Sequence, residues 1–189
     1  SRSHNAGANL GLMVQGQMAT PIINEIGTDE QKRLFLEPAL KGEKIAALGV
    51  SEPSMGSDVA SMKTTARRVG DEYVINGSKM WITNALQADW VCLLVNTSAE
   101  GAPHRNKSLV IVPLRDDAGR PMPGVQMAKI RKVGMWCSDT AQIFFDDVRV
   151  PQRHRIGDEG KGFIYQMQQF QEERLGAAAR RLAAQALID

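Results

Sequence analysis

The sequence predicts an α+β fold in which an antiparallel β-barrel or sandwich forms the middle of the chain and helical segments flank it. Three observations carry this expectation: helix-period apolar patterning up to residue 41, short period-two runs separated by turn residues from 44 to 150, and a return of the helical period after Pro151. The expected division is residues 1–41 as the end of a helical domain, 42–151 as a middle β domain, and 152–189 as the start of a second helical domain.

Residues 6–19 are rich in Ala, Leu, Met and Gln and read as a helix interrupted by Pro21. Thr28 is placed to cap a second helix, with Gln31 as its capping-box partner and Asp29 and Glu30 at the positive end of the dipole. That helix should reach Leu40 and stop at Gly42. Residues 44–50 are short and apolar enough for a buried strand. Strands follow at 62–69, 73–76 and 79–83, divided by Gly70-Asp71 and by Asn76-Gly77, the second a tight-hairpin signal. Residues 90–96 and 109–114 read as core strands around an exposed loop at 97–107. After a turn region at 116–124, runs at 125–130, 141–145 and 148–150 complete the strands. Beyond a loop at 157–162, residues 163–188 read as one long helix with Ile164, Met167, Phe170, Leu175, Leu182 and Leu187 among its apolar positions. Its small residues, 176–179 and 183–184, suit the close approach of another helix.

A length of 189 residues, 43% hydrophobic and 23% charged, allows a buried core and excludes compositional disorder. The formal net charge of +2 supplies no polyelectrolyte face, so neither nucleic acid nor a membrane surface is an expected partner. Cys92 and Cys137 lack metal-like spacing and suit a reducing compartment as small buried hydrophobes. His4, His104 and His154 do not cluster, so no metal site is expected, and Arg180-Arg181 reads as a surface face. No apolar stretch approaches the roughly 20 residues that span a bilayer, and the N-terminus lacks a basic-then-apolar leader pattern. The expectation is a cytoplasmic protein, or a mitochondrial-matrix one in a eukaryote.

Residues 47–58, Ala-Leu-Gly-Val-Ser-Glu-Pro-Ser-Met-Gly-Ser-Asp, turn an apolar run abruptly into hydroxyls, small residues and one Pro. Gly56 permits backbone angles that other residues resist, and Ser51, Ser54 and Ser57 can donate hydrogen bonds. Such a loop at the end of a strand suits a phosphate or a polar ring edge; an ordinary surface turn has the same composition.

Three stretches occur in order: 49–58, Asn76-Gly-Ser-Lys-Met-Trp-Ile-Thr-Asn84, and Cys137-Ser-Asp-Thr140 leading into Phe144-Phe-Asp-Asp-Val-Arg-Val-Pro151. Together they closely resemble the flavin-dependent acyl-CoA dehydrogenase family. The likeness extends to Gly27-Thr-Asp-Glu-Gln31 before the strands and Gly160-Lys-Gly-Phe163 after them. It implies an N-terminal helical domain, a middle β domain and a C-terminal helical bundle, with FAD held between the last two and across a subunit interface. The family's later helices are not in this chain, which therefore reads as part of a longer enzyme. The resemblance further implies a homotetramer or dimer that oxidises acyl-CoA in fatty acid metabolism and passes electrons to an electron-transferring flavoprotein.

Residue by residue, the resemblance places Val50 and Ser51 at the flavin's pyrimidine edge, with Ser51 where Thr is more usual. Ser57 falls by the pyrophosphate and the pantetheine arm, where hydroxyl donors offset phosphate charge. Trp81 covers the flavin face opposite the substrate, and Thr83 bonds near N5, the atom that receives hydride. Met55 departs from the small residue usual in this loop, so it either reshapes the acyl cavity or points to solvent.

Dehydrogenation between the α and β carbons of a thioester requires a carboxylate that takes the α-proton on the face opposite the flavin. In isovaleryl-type and long-chain-type members this Glu precedes an Arg on the first long helix of the C-terminal bundle, and Glu173 before Arg174 matches that position. A solvated helix face is the competing meaning of Glu172, Glu173 and Arg174. Against it, Gln169 and Ala177 at i−4 and i+4 give Glu173 no helical ion-pair partner. Arg174 joins Ser57 on the substrate side, orienting the helix beside the site. The expected product is a trans-2-enoyl-CoA. The alternatives are an acyl-CoA oxidase or flavin monooxygenase on the same fold, and a non-catalytic member that binds nucleic acid or protein.

Overall fold

The computed structural model describes residues 6–185, and their side chains through Gly176 together with Ala178 and Ala179. His4, Leu187 and Ile188, and the side chains of Ala177, Arg180, Arg181, Leu182, Ala183 and Ala184, lie outside the described residues. Helix α1 (Ala6–Met13) widens into a π-helical segment, Val14–Ala19, which ends where the Thr20 hydroxyl donates to the Gln15 carbonyl over 2.8 Å. Pro21 both ends that run and starts α2 (Pro21–Ile26), at a position where its missing N–H goes unused. Thr28 caps α3 (Asp29–Gln31) through the expected capping box, its Oγ1 accepting from the Gln31 N–H and its own N–H reaching Gln31 Oε1. A second wide segment, Lys32–Leu36, leads to α4 (Glu37–Lys41), which Gly42 closes at φ +76°.

Among the described residues eight strands form one sheet: β1 (Ala46–Gly49), β2 (Thr65–Val69), β3 (Glu72–Thr83), β4 (Trp90–Asn96), β5 (Lys107–Pro113), β6 (Val125–Lys129), β7 (Thr140–Pro151) and β8 (Arg155–Ile156). The path is β6-β7-β3-β2-β4-β5-β8, with β1 added along β4. Neighbours are antiparallel except at β4, which β1 joins in parallel and β2 meets in the single parallel pair Thr65 with Asn96.

Alternation along β4 explains how one sheet serves two cores. Val91, Leu93 and Val95 face the cluster that holds Tyr73 and Ile75 of β3 with Ile143 and Phe145 of β7. Trp90, Cys92 and Leu94 face the other way, into a cluster with Ile22, Ile23, Leu36 and the partly buried Met167 and Phe170. The first cluster packs side chains of β3, β4, β5 and β7 together, and the second fastens the helices to the sheet. Helix α5 (Gly162–Gln185) lies on that second face, against β5, β4, α2 and the Val14–Ala19 segment.

The Asn76-Gly77 hairpin expected from the sequence does not form. β3 runs unbroken through both residues, and the turn falls at Gly70-Asp71. The pairing of β3 with β7 slips between Ile75 and Gly77, where Asn76 exchanges side-chain bonds with Asp147: its Nδ2 donates to Asp147 Oδ1 at 2.9 Å, and its Oδ1 accepts the Asp147 N–H at 3.0 Å. The runs expected at 141–145 and 148–150 likewise merge into β7, bent at Asp147 by a positive φ of 49°. A two-residue turn and an irregular strand use the same Asn-Gly chemistry, since both need a positive φ.

Candidate functional site

β1 ends at Gly49, and Val50 carries the chain out of the sheet into the serine-rich loop. There Glu52 and Met55 exchange backbone hydrogen bonds of 3.0 and 3.1 Å, folding the chain back on itself. Met55 is 8% exposed, so its side chain turns into the helix-facing core with Val50, Val59 and Met62 and leaves the loop's outer face to smaller groups.

β3 holds this loop from beneath. The Met80 N–H donates to the Ser51 carbonyl over 2.8 Å. Lys79, with no exposed side chain, donates from Nζ to the Val50 carbonyl at 3.1 Å and to Glu52 Oε1 at 2.9 Å. Glu52 also accepts from the Thr64 hydroxyl at 2.6 Å, the Thr64 N–H at 3.0 Å and the Lys63 N–H at 2.7 Å. Burial alone would raise the Glu52 carboxyl, but the Lys79 charge and these donors outweigh it and hold the group below its usual range.

Across from the loop stands α5. Val50, Ser51, Gly56, Ser57 and Val59 on one side and Met167, Phe170 and Arg174 on the other line a cleft of about 380 Å3. It has hydroxyl donors along one rim and an apolar opposite wall, and a Cβ added at Gly56 would meet no atom within 4 Å. The Arg174 guanidinium sits 5.1 Å from the centre of the Phe170 ring, a cation–π distance. A larger hollow of about 430 Å3, where β2 and β4 part, is lined by Thr65, Arg67, Asn76 and Asn96 among others and contains none of the expected site residues.

The cleft thus gathers Val50, Ser51, Ser57 and Arg174, while Trp81, Thr83 and Glu173 lie outside its lining. Trp81 follows Met80 where the β3–β7 register slips a second time, between Lys79 and Ile82. Its backbone is left-handed, φ 64°, and the residue is 59% exposed. A bulky residue held at positive φ costs about 1–2 kcal/mol, a form of strain that clusters at ligand-binding positions. Thr83, half-buried, ends β3 opposite Thr140.

Glu173 sits on the next stripe of α5, in line with Gln166 and Gln169. It is half-buried, and that burial raises its carboxyl above the usual range against the opposing charge of Arg174. Gln169 donates to the Met18 carbonyl over 3.1 Å, but its Oε1 and both amide atoms of the fully buried Gln166 find no hydrogen-bond partner among the described residues.

Sequence reasoning placed the loop and the helix but missed Lys79, Glu52 and Thr64 as a unit. The one available signal was a lysine in a strand that is otherwise apolar on its inward face, and the register slips on either side of it hide which face that is. Met167 and Phe170 were legible as apolar helix positions, though not as cleft lining. His154 is satisfied at the Ile111 carbonyl, 3.1 Å away, with its ring edge-on to Phe35, and burial lowers its pKa. Arg153 pairs with Glu30 at 3.5 Å, and Arg155 bonds the Tyr73 hydroxyl and the Gly157 carbonyl. Cys92 is a buried thiol pushed up to about 12 by burial, whereas Cys137 is exposed. Among the described residues no helix is long and apolar enough to cross a membrane.

Comparison with known proteins bears on this arrangement. The acyl-CoA dehydrogenase middle domain profile matches residues 47–148. The mouse mitochondrial long-chain specific acyl-CoA dehydrogenase is 36% identical over 176 residues, 92% of this chain and 40% of the mouse protein. Among solved structures, a probable acyl-CoA dehydrogenase from Mycobacterium abscessus superposes with a TM-score of 0.83 at 40% identity, covering 91% of this chain and 44% of that one. The butyryl-CoA dehydrogenase of Megasphaera elsdenii gives 0.84 at 33% identity, covering 93% and 44%. The chain therefore spans less than half the length of each of these relatives.

Proposed function

Since the chain belongs to the acyl-CoA dehydrogenase family, we propose that the protein it forms, or forms part of, is an FAD-dependent enzyme that converts an acyl-CoA thioester to the trans-2-enoyl-CoA. The observation that carries this reading is the cleft in which the serine-rich loop after β1 faces Met167, Phe170 and Arg174 of α5. The residues fit a flavin nucleotide: hydroxyl and backbone donors from Ser51 and Ser57 suit a polar ring edge and phosphate oxygens, the open Gly56 position lets a ligand approach the backbone, and Phe170 offers an aromatic wall. When bound, FAD supplies the acceptor for the substrate's β-hydride.

The chain's own residues have positioning and acid–base tasks. Val50 and Ser51 hold the pyrimidine edge, Thr83 offers its hydroxyl at N5, and the exposed Trp81 shields the flavin face away from the substrate. Ser57 contacts the pyrophosphate and the pantetheine arm, and Arg174, stacked on Phe170, holds α5 at the substrate side. Glu173 takes the α-proton. Its half-buried carboxyl is a stronger base than one in water, because burial penalises the charged form that proton uptake discharges. The domain division at residues 41 and 151 follows the same reading, with α1 to α4 closing one helical domain and α5 opening another. An electron-transferring flavoprotein as oxidant and a homo-oligomer, tetramer or dimer, complete the proposal.

The test is anaerobic mixing of the full-length protein with acyl-CoAs of graded chain length. Bleaching of the flavin absorbance is expected for at least one of them, and its absence at every length would sink the dehydrogenase reading. Glu173→Gln should slow the bleaching by about 10²–10⁴-fold while leaving FAD bound. Near-normal rates in that variant would move the base to another residue.

A further inference from the structure

We propose that Lys79 is a positioning residue for the cofactor cleft, its ammonium tying the Val50 carbonyl to the Glu52 carboxylate and so fixing the Ser51 turn between them. The inference rests on the flavin reading of that cleft and adds a residue that none of the cleft's own lining identifies.

Val50 and Ser51 line the cleft, and the two bonds from Lys79 Nζ fall on the residues either side of Ser51, at 3.1 Å to Val50 and 2.9 Å to Glu52. The Met80 N–H takes the Ser51 carbonyl itself at 2.8 Å, so three consecutive residues of the loop are bound by two consecutive residues of β3. The Lys79 stem passes beside the end of β1, where a Cβ at Gly49 would stand in ordinary contact with Lys79 Cγ at 3.6 Å but only 2.8 Å from Leu93 Cδ1, so the glycine is required by β4 rather than by the lysine.

A buried ion pair is seldom worth more to folding than well-packed apolar side chains of the same volume, because both ions must leave water. What the pair provides is a fixed direction for the groups it bonds. Here those groups are the carbonyl and the turn that present the cleft's polar rim.

The charge on this clamp is removable. Burial brings Lys79 down to about 8, with Glu52 opposing the fall and the nearby Lys107 adding to it. Lys107, whose Nζ bonds the Asn106 side chain at 3.0 Å, feels the charges of Glu52 and Asp58 in turn, so among the described residues these four charges act on the clamp. Above that pH Glu52 loses its counter-charge and the bonds from Nζ weaken, so FAD affinity falls. Folding stability moves the other way over the same interval: the unfolded chain keeps its lysine protonated up to its ordinary 10.5, binds more protons than the fold, and is disfavoured as pH rises. A lysine that served only to stabilise the fold would not separate the two.

The experiment is FAD titration of the full-length protein by flavin fluorescence at intervals between about pH 6.5 and 9.5, beside thermal melts at the same values. For the parent, the dissociation constant should rise at least tenfold across the range while the melting temperature does not fall in step. Lys79→Met should bind FAD at least tenfold more weakly at pH 7 and show a flat profile. Glu52→Gln, nearly isosteric, removes the charge that holds the lysine proton, so its loss of FAD should move to lower pH; this arm decides the matter even where Lys79→Met fails to fold. A parent that binds FAD with a flat profile, or a Glu52→Gln profile unmoved from the parent's, overturns the positioning role and leaves the flavin reading standing. A parent that takes up no FAD at any pH overturns both.

Discussion

The strand side of the cleft and its helix side are built on opposite terms. On the strand side the polar groups answer one another: Lys79 is spent on Val50 and Glu52, Glu52 on Thr64 and Lys63, and the Ser51 carbonyl on Met80. On the helix side, Gln166 is buried without a partner among the described residues for either amide atom, Gln169 lacks one there for its oxygen, and Glu173 is half-buried beside an exposed Arg174. Val50 and Val59 of the loop and Met167 and Phe170 of α5 pack in one helix-facing core, so the two sides differ in how their polar groups are partnered and not in the apolar core they share. A site needs a rim whose direction is set before the ligand arrives and groups left uncommitted enough to act on it. The strands provide the first and α5 carries the second.

The largest effect is expected where the strand side can be broken without touching a charged group. Gly77 sits at φ +139°, and a Cβ there would come within 2.7 Å of the Thr64 backbone, the residue whose hydroxyl and N–H hold Glu52. Gly77→Ala should therefore cost about 2–4 kcal/mol, through an unfavourable φ and a backbone clash together. It should also weaken FAD binding, since Thr64 must shift. Chemical denaturation and flavin titration check the two, and a stable variant with normal FAD affinity would mean that the strand side is not rigid. The helix side should respond with the opposite sign. Gln166→Leu keeps the volume and removes two buried unpartnered atoms, so it should raise stability by about 1–2 kcal/mol. A loss of similar size would show that the amide is satisfied, and the comparison between the two sides would fail.

The same contrast marks how far the sequence could be followed. The capping box at Thr28, the stop at Gly42, the strand at Trp90–Asn96 and the start of the long helix follow from local chemistry, and each stands where local chemistry puts it. The loop at 47–58 was legible as a strand end delivering hydroxyls and a glycine, and the structure sets it against α5. What could not be followed depends on register. Asn76-Gly77 signals a positive φ, but whether that φ closes a hairpin or bends a long strand is decided by Asp147, which is 71 residues away in sequence. Lys79 and Glu52 are 27 residues apart, with β2 and the register slip between Ile75 and Gly77 in between, so no periodicity joins them. Met55 reads as a foreign residue in a polar loop until the Glu52–Met55 turn shows that its backbone serves the loop and its side chain the core.

The smallest effect, and the most direct comparison of the two sides, is in their carboxylates. Glu52 titrates below its ordinary 4.5, because its lysine and its donors outweigh burial; Glu173 titrates above 4.5, because burial outweighs Arg174. For Glu52 the unfolded chain takes up a proton first as pH falls, so its contribution to stability is complete above 4.5 and is lost as pH drops through the lowered value. For Glu173 the folded chain takes up the proton first, so its contribution is complete below 4.5 and is lost as pH rises through the raised value. Thermal melts of the parent, Glu52→Gln and Glu173→Gln between about pH 3 and 7 separate them. The parent's advantage over Glu52→Gln should shrink as the solution is acidified, and its standing against Glu173→Gln should worsen as the solution is made neutral, more gently because Glu173 is only half-buried. Two slopes of the same sign would mean that the carboxylates share one environment, and α5 would then carry no group set apart for taking a proton.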